Sequence, residues 1–204
     1  MKKNDICIDI SNVVPGKGGT GGGIATYAIN LITHLDSILT PEHPKVYCIK
    51  NIDFKSLDDL KNIIVKDVDV NNSNFISRLT WLHLRLPKFC IANNIKVLHR
   101  IVPELPAIKV CKYIVTVHDF MFDFYLERPA LKKYLPGANL LKFKLFKALA
   151  GMAVRISDRI IVPAETILFE LRERFPKHGH KATFIYEASA SVRSEKREKK
   201  KLIH

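Results

Sequence analysis

Ile6-Cys7-Ile8-Asp9-Ile10 leads into Ser11-Asn12-Val13-Val14-Pro15-Gly16-Lys17-Gly18-Gly19-Thr20-Gly21-Gly22-Gly23, and Ile24-Ala25-Thr26-Tyr27-Ala28-Ile29-Asn30-Leu31 follows. An apolar β-rich run, a glycine-rich turn and an apolar helical segment thus succeed one another. The glycines let the backbone adopt positive φ and let a ligand come close to bare amides. A helix opening just beyond them adds aligned N–H donors and a partial positive charge, a combination that favours phosphate.

Outward from this unit, short β-branched runs alternate with longer helical patterns. Strands are expected at 6–10, 46–49, 63–65, 97–99, 113–117, 159–162 and 183–186, and helices near 23–37, 75–93, 130–156 and 165–175. Pro87 is expected to break or kink the second helix, because it lacks an N–H and clashes with the preceding turn. This alternation predicts an α/β fold, Rossmann-like and doubly wound, with a mostly parallel sheet. One domain accounts for residues 1–190, and 191–204 reads as a basic linker running into the start of a further domain.

The bulk properties agree with a folded domain. The 204 residues are 47% hydrophobic and 26% charged. No run approaches the roughly 20 apolar residues of a membrane-spanning helix. Residues 1–5 enter a strand pattern directly, without the apolar region of a secretory signal, so a cytoplasmic location is expected. Cys7, Cys48, Cys90 and Cys111 lack metal-site spacing, and three of them sit in apolar strand-like runs and read as small buried hydrophobes.

The net charge of +13 concentrates in the tail (Arg193, Lys196, Arg197, Lys199, Lys200, Lys201) and on helices carrying Lys132, Lys133, Lys142, Lys144, Lys147 and Arg155. Such a surface suits nucleic acid, an anionic membrane or anionic substrates. Along 140–155, Lys144, Lys147, Gly151 and Arg155 share one helical side, while Leu141, Leu145, Phe146, Leu149, Met152 and Ala153 spread over the other. That pattern predicts a core-facing helix with a basic face, which also fits anionic lipid head groups.

Two places carry candidate chemistry. Gly16-x-Gly18-x-x-Gly21 matches the dinucleotide fingerprint in form, but Pro15 and other residues separate it from the strand, and Glu42 lies beyond the break at Pro41. His118-Asp119 ends the strand Ile114-Val115-Thr116-Val117. Ligands of doubly wound sheets bind beyond the carboxyl ends of strands, so His118 and the glycines are expected to face one crevice. A histidine there can donate to a sugar hydroxyl or balance the charge of a departing phosphate. His99 ends its own strand and is expected at the crevice or its rim. His83 reads as packing near Trp81, and His178 and His180 as a solvated loop.

Four stretches together resemble the N-terminal domain of family 4 glycosyltransferases, retaining enzymes built from two facing Rossmann-like domains in the GT-B architecture. They are Gly21-Gly22-Gly23 through Tyr27 and Leu31; Trp81 through Leu86-Pro87 and Val97-Leu98-His99; Val115-Thr116-Val117-His118-Asp119; and Ser157 to Val162 with Phe184-Ile185-Tyr186-Glu187. The sequence departs from the family at Pro163-Ala164, where serine is common, and at Glu187-Ala188, where Asn-Gly is common. Glu165 and Glu173 have the spacing of the family's Glu-x7-Glu motif, but sit in the wrong domain for it and read as helix-start and surface carboxylates.

The resemblance implies the acceptor-side half of a GT-B enzyme, with the donor-binding half missing or on a separate chain. Its substrate would be a nucleotide diphosphate-sugar, with no cofactor and no divalent metal. The diphosphate would lie against Gly21, Gly22 and Gly23. His118 would contact the transferred sugar, and Asp119 would orient that segment. The acceptor would be a glycan or a lipid-linked precursor of a bacterial cell-surface polysaccharide, reached by peripheral contact with an anionic membrane. On its own the chain is expected to be inactive. Two other classes stay open on the residues alone: a nicotinamide-dependent Rossmann domain, and a basic binding module without catalysis. Nucleic acid is not expected as a partner, because the tail has no aromatic residue to stack on bases.

Overall fold

The computed structural model describes residues 5–14, 16, 22–128 and 140–187. Gly21, Lys132, Lys133 and the basic tail therefore lie outside the described residues. Strands β1 (Asp5–Asp9), β2 (Val46–Lys50), β3 (Ile63–Asp67), β4 (Ile95–Arg100), β5 (Lys112–Thr116), β6 (Arg159–Val162) and β7 (Ala182–Phe184) form one sheet in the order β3-β2-β1-β4-β5-β6-β7. Every neighbouring pair is parallel. The fold is the expected Rossmann-like α/β sheet, and the described strands are parallel throughout. The strand order reverses between β1 and β4, which opens a crevice beyond their carboxyl ends.

Side chains alternate across the pleat with period two. Cys7 joins one buried cluster with Trp81, Leu86, Leu98, Val115, Ala153 and Leu171. Its neighbour Ile8 joins another with Ala25, Ala28, Ile32, Cys48 and Leu57. Helix α1 (Gly23–Ile38) supplies the second cluster through Ala25, Ala28 and Ile32, the i, i+3, i+7 spacing of one helical face. No helix among the described residues is long and apolar enough to cross a membrane.

The expected helix near 75–93 is continuous but not uniform. It runs as α2 (Phe75–Thr80), a π-helical turn (Trp81–Arg85) and α3 (Leu86–Ala92). Pro87 neither breaks nor ends it. The wide turn just upstream carries a Leu86 N–H bond to Trp81 O, and Pro87 takes the second position of α3, where a missing N–H costs little.

Two further differences concern the C-terminal half. Helix α4 (Met121–Glu127) follows His118 where no helix was expected. It starts where the Asp119 carboxylate accepts from Met121 N–H at 2.9 Å, and its Phe122 stacks on Phe146 of α5 (Leu140–Ile156) at 5.0 Å. Only the C-terminal half of α5 packs as a core helix. Gly151, Ala153 and Val154 are buried, whereas Leu141 is 74% exposed and Leu145 is 37% exposed. Gly151, assigned to the basic side, lies inward under the Arg155 guanidinium, and Lys147 is tied to Asp123 at 2.5 Å. Helix α6 (Glu165–Arg174) opens with Glu165 in its first turn, as a helix-start carboxylate.

The switch point is held by buried charge. Asp9 and Arg100 face each other in the β1–β4 register, at 0% and 1% exposure, and form an ion pair. The second Asp9 oxygen accepts from Ser11 N–H at 2.8 Å, and Trp81 Nε1–H donates to the first at 3.3 Å. Arg100 also donates to the Glu104 carbonyl at 3.0 Å, and the Glu104 carboxylate accepts from Arg78 at 2.9 Å. Removing one partner leaves a desolvated charge behind, so Asp9→Ala should lower the unfolding free energy by about 3–5 kcal/mol in urea denaturation. A loss below about 1 kcal/mol, the scale of a surface pair, would show that the pair does not hold the switch point.

Candidate functional site

His118 lies two residues past β5, largely buried, with 13% of its side chain exposed. Its Nε2 sits 3.0 Å from the carbonyl oxygen of Ile101, just beyond β4. Its Nδ1 sits 3.0 Å from Glu187 Oε1, three residues beyond β7. The ring of Tyr27, one turn into α1, stands edge-on to the imidazole with centroids 5.1 Å apart. The first turns of α1 and the imidazole therefore meet at the carboxyl edge of the sheet.

A hydroxyl backs this contact. Thr116 Oγ1, at the end of β5, is 3.4 Å from the Tyr27 hydroxyl and 2.9 Å from His99 Nε2. Burial raises the Tyr27 phenol above its ordinary value, opposed by the hydrogen bond to Thr116. His99 is buried beneath the crevice. Burial, helped by the neighbouring His118, pushes its imidazole down to about 4.

The glycines at the opening of α1 serve the backbone and not the packing. A Cβ placed on Gly22 or Gly23 would meet nothing within 4 Å, and neither residue has a positive φ. Among the described residues, the α1 N-terminus has no side-chain cap, and its first turn has no acidic residue. Ala25 and Thr26 N–H donate to the Gly22 carbonyl, so the Gly23 and Ile24 N–H groups precede the first bonds of the helix and point out of its N-terminus. Gly21, the third glycine of the expected cradle, lies outside the described residues. Asp119 is exposed, and its described hydrogen bond joins it to Met121 and the start of α4.

The remaining histidines are dispersed. His178 precedes and His180 lies within the 3-10 turn Gly179–Lys181 that enters β7, at the amino edge of the sheet and away from the crevice. His83 Nδ1 accepts from Ala107 N–H at 3.2 Å. One Asp-x-Asp is present, Asp67-Val68-Asp69. It begins at the end of β3, with Asp67 paired to Lys50 at 2.9 Å. Because β3 and β5 are four strand positions apart, it lies roughly 19 Å from His118 at about 4.8 Å per strand.

The sequence pattern missed Glu187 as a partner of His118, and Asp9 and Arg100 as a buried pair. Glu187 stands out in sequence only as a departure from Asn-Gly, and nothing in its spacing points to residue 118. A separate groove of about 450 Å³ is lined by residues including Asn72, Phe75, Arg78, Leu145 and Phe146, and does not include Gly22, Gly23 or His118.

No protein-family model matches the chain, and no curated protein matches it. Among solved structures, it is similar to a glycosyltransferase from Rickettsia africae ESF-5, with a TM-score of 0.50 and 12% identity. The likeness covers 91% of this chain and 43% of that one, so the chain spans less than half the length of that structure. At this identity the likeness shows a shared glycosyltransferase-like α/β fold.

The state of His99 gives the stability a pH dependence of known sign. The unfolded chain takes up a proton near pH 6.5, whereas the folded chain resists until about 4. The stabilising contribution is complete above the unfolded value and is lost as pH falls through that window. Thermal melts should drop between these two values, and His99→Gln should flatten that part of the profile. An unchanged profile in His99→Gln would assign the pH dependence to other groups.

Proposed function

We propose that the chain is the acceptor-side domain of a retaining, two-domain glycosyltransferase that moves a sugar, of the hexosyl type, from a nucleotide diphosphate to a glycan or lipid-linked acceptor. The observation that carries this reading is the contact between Tyr27, on the helix that opens at Gly22 and Gly23, and His118. It puts the leading amides of a helix and an imidazole on one edge of the sheet, beside the strand-order reversal. The amides suit a diphosphate, and the imidazole suits an oxygen of the transferred sugar. Asp119, hydrogen-bonded to the start of α4, supports the His118 segment from the other side.

The nicotinamide reading is disfavoured by the end of β2. Dinucleotide folds place an acidic residue there for the ribose hydroxyls. This chain places Lys50 there, engaged with Asp53 at 3.1 Å and Asp67 at 2.9 Å. Backbone amide spectra of the chain, titrated with a panel of nucleotide diphosphate-sugars and with NAD, test the assignment. The expected shifts centre on Gly22, Gly23 and His118. His118→Ala should weaken binding about 10- to 100-fold, the worth of one charge-assisted hydrogen bond. Preferential binding of NAD, or shifts that avoid these residues, would remove the assignment.

The acceptor is proposed to approach over the N-terminal half of α5, in the cell-surface polysaccharide synthesis of a bacterium and at the inner face of its membrane. Exposed Leu141 and Leu145 stand there beside Lys142 and Lys144. Each basic side chain near an anionic bilayer contributes roughly 1 kcal/mol. Cosedimentation with vesicles containing anionic lipid should fall when Leu141 and Leu145 are replaced by Ser. Equal binding by that variant would indicate charge attraction without insertion, and membrane docking through this helix would be abandoned.

A further inference from the structure

The two oxygens facing the His118 ring nitrogens belong to a carboxylate and to a backbone carbonyl, each 3.0 Å away. A backbone carbonyl never has a proton to give, and an ionised carboxylate has none. A neutral imidazole carries a single N–H, so one of its nitrogens would face an oxygen lone pair with a lone pair of its own. Both contacts are hydrogen bonds only when each nitrogen bears a proton. We infer that Glu187 is a positioning residue that holds His118 as a doubly protonated ring, an N–H donor on both sides, with the Nδ1 side as the one a substrate oxygen takes.

The surroundings of the ring fit this division of roles. From α1, Tyr27 meets it edge-on as a neutral phenol, its ionisation made harder by burial. From β4, His99 is kept uncharged by burial. Asp119, the next residue, has its Oδ1 engaged with the Met121 amide. Glu187 is the anion hydrogen-bonded to the ring itself, and it follows the short edge strand β7.

The two hydrogen bonds of the ring are not equivalent. Ile101 belongs to the backbone just past a central strand, so the Nε2 bond and the Tyr27 contact fix the plane of the ring. The Nδ1 bond goes to a side chain that is 36% exposed and free to rotate away. Any group that replaces Glu187 there must bring an acceptor oxygen. A phosphate oxygen would do so without leaving the imidazolium unpaired, whereas a group that only donates would be rejected. This deepens the donor-site reading above and rests on it for the identity of the ligand, but the state of the ring can be read with no ligand present.

Long-range ¹H–¹⁵N spectra of histidine-labelled full chain at pH 7 distinguish protonated from bare ring nitrogens, with His118→Asn identifying the His118 signals. The expected result is two protonated nitrogens in the parent chain and the loss of one in both Glu187→Gln and Glu187→Ala. The Gln variant tests charge, because its amide oxygen still accepts a hydrogen bond. A singly protonated ring in the parent, or two protons retained in either variant, overturns the proposal. Glu187 lies outside both buried clusters, so both variants are expected to fold, and backbone amide spectra that match the parent's away from residues 118 and 187 establish that the comparison is between folded chains. No nucleotide-sugar enters this measurement, so its failure and a failure of the binding titration are separate outcomes.

Discussion

Burying Asp9 against Arg100 constrains this domain more than any other single contact. Two full charges sit at the carboxyl ends of adjacent central strands, where the direction of strand addition reverses. Desolvating them is costly, and their mutual attraction offsets the cost only while the geometry holds. The pair therefore specifies which strands are neighbours and in what register, because a one-residue slip would send one charge to the opposite face of the sheet. Trp81, Ser11, Glu104 and Arg78 extend the network, so the π-helical turn and the loop after β1 are fixed to the same point. The crevice inherits its shape from that anchoring.

Most of the architecture was legible in the sequence because central parallel strands must be apolar on both faces. Runs such as Tyr113-Ile114-Val115 and Ile160-Ile161-Val162 have no other comfortable environment in a helix-covered α/β domain. What was not legible depended on a tertiary contact. The short helix α4 is stabilised by aromatic packing of Phe122 on Phe146, which no local periodicity reveals. The exposed first half of α5 has the same period as its buried second half. Only the position of the neighbouring elements separates them. Pro87 does not break its helix, since a helix can absorb a missing donor by widening one turn.

The candidate site divides in a similar way. His118 stands out because a polar ring after a buried strand must emerge at the sheet edge. Tyr27 is visible as part of the helix that follows the glycines. Glu187 is separated from His118 along the chain by α4, α5, β6, α6 and β7, and only the parallel register of β5, β6 and β7 brings the two ends together. The strand of His99 points to the crevice or its rim, but the side chain is buried beneath it, bonded to Thr116.

That shared threonine has one hydrogen to give and two neighbours, the His99 ring and the Tyr27 phenol. If the His99 nitrogen facing it carries the hydrogen, Thr116 is free to donate to Tyr27, whose own hydroxyl hydrogen then turns outward. If that nitrogen is bare, Thr116 donates inward and Tyr27 donates to Thr116, leaving a lone pair outward. The choice of tautomer on a buried ring thus decides whether the phenol offers the crevice a hydrogen or accepts one from it.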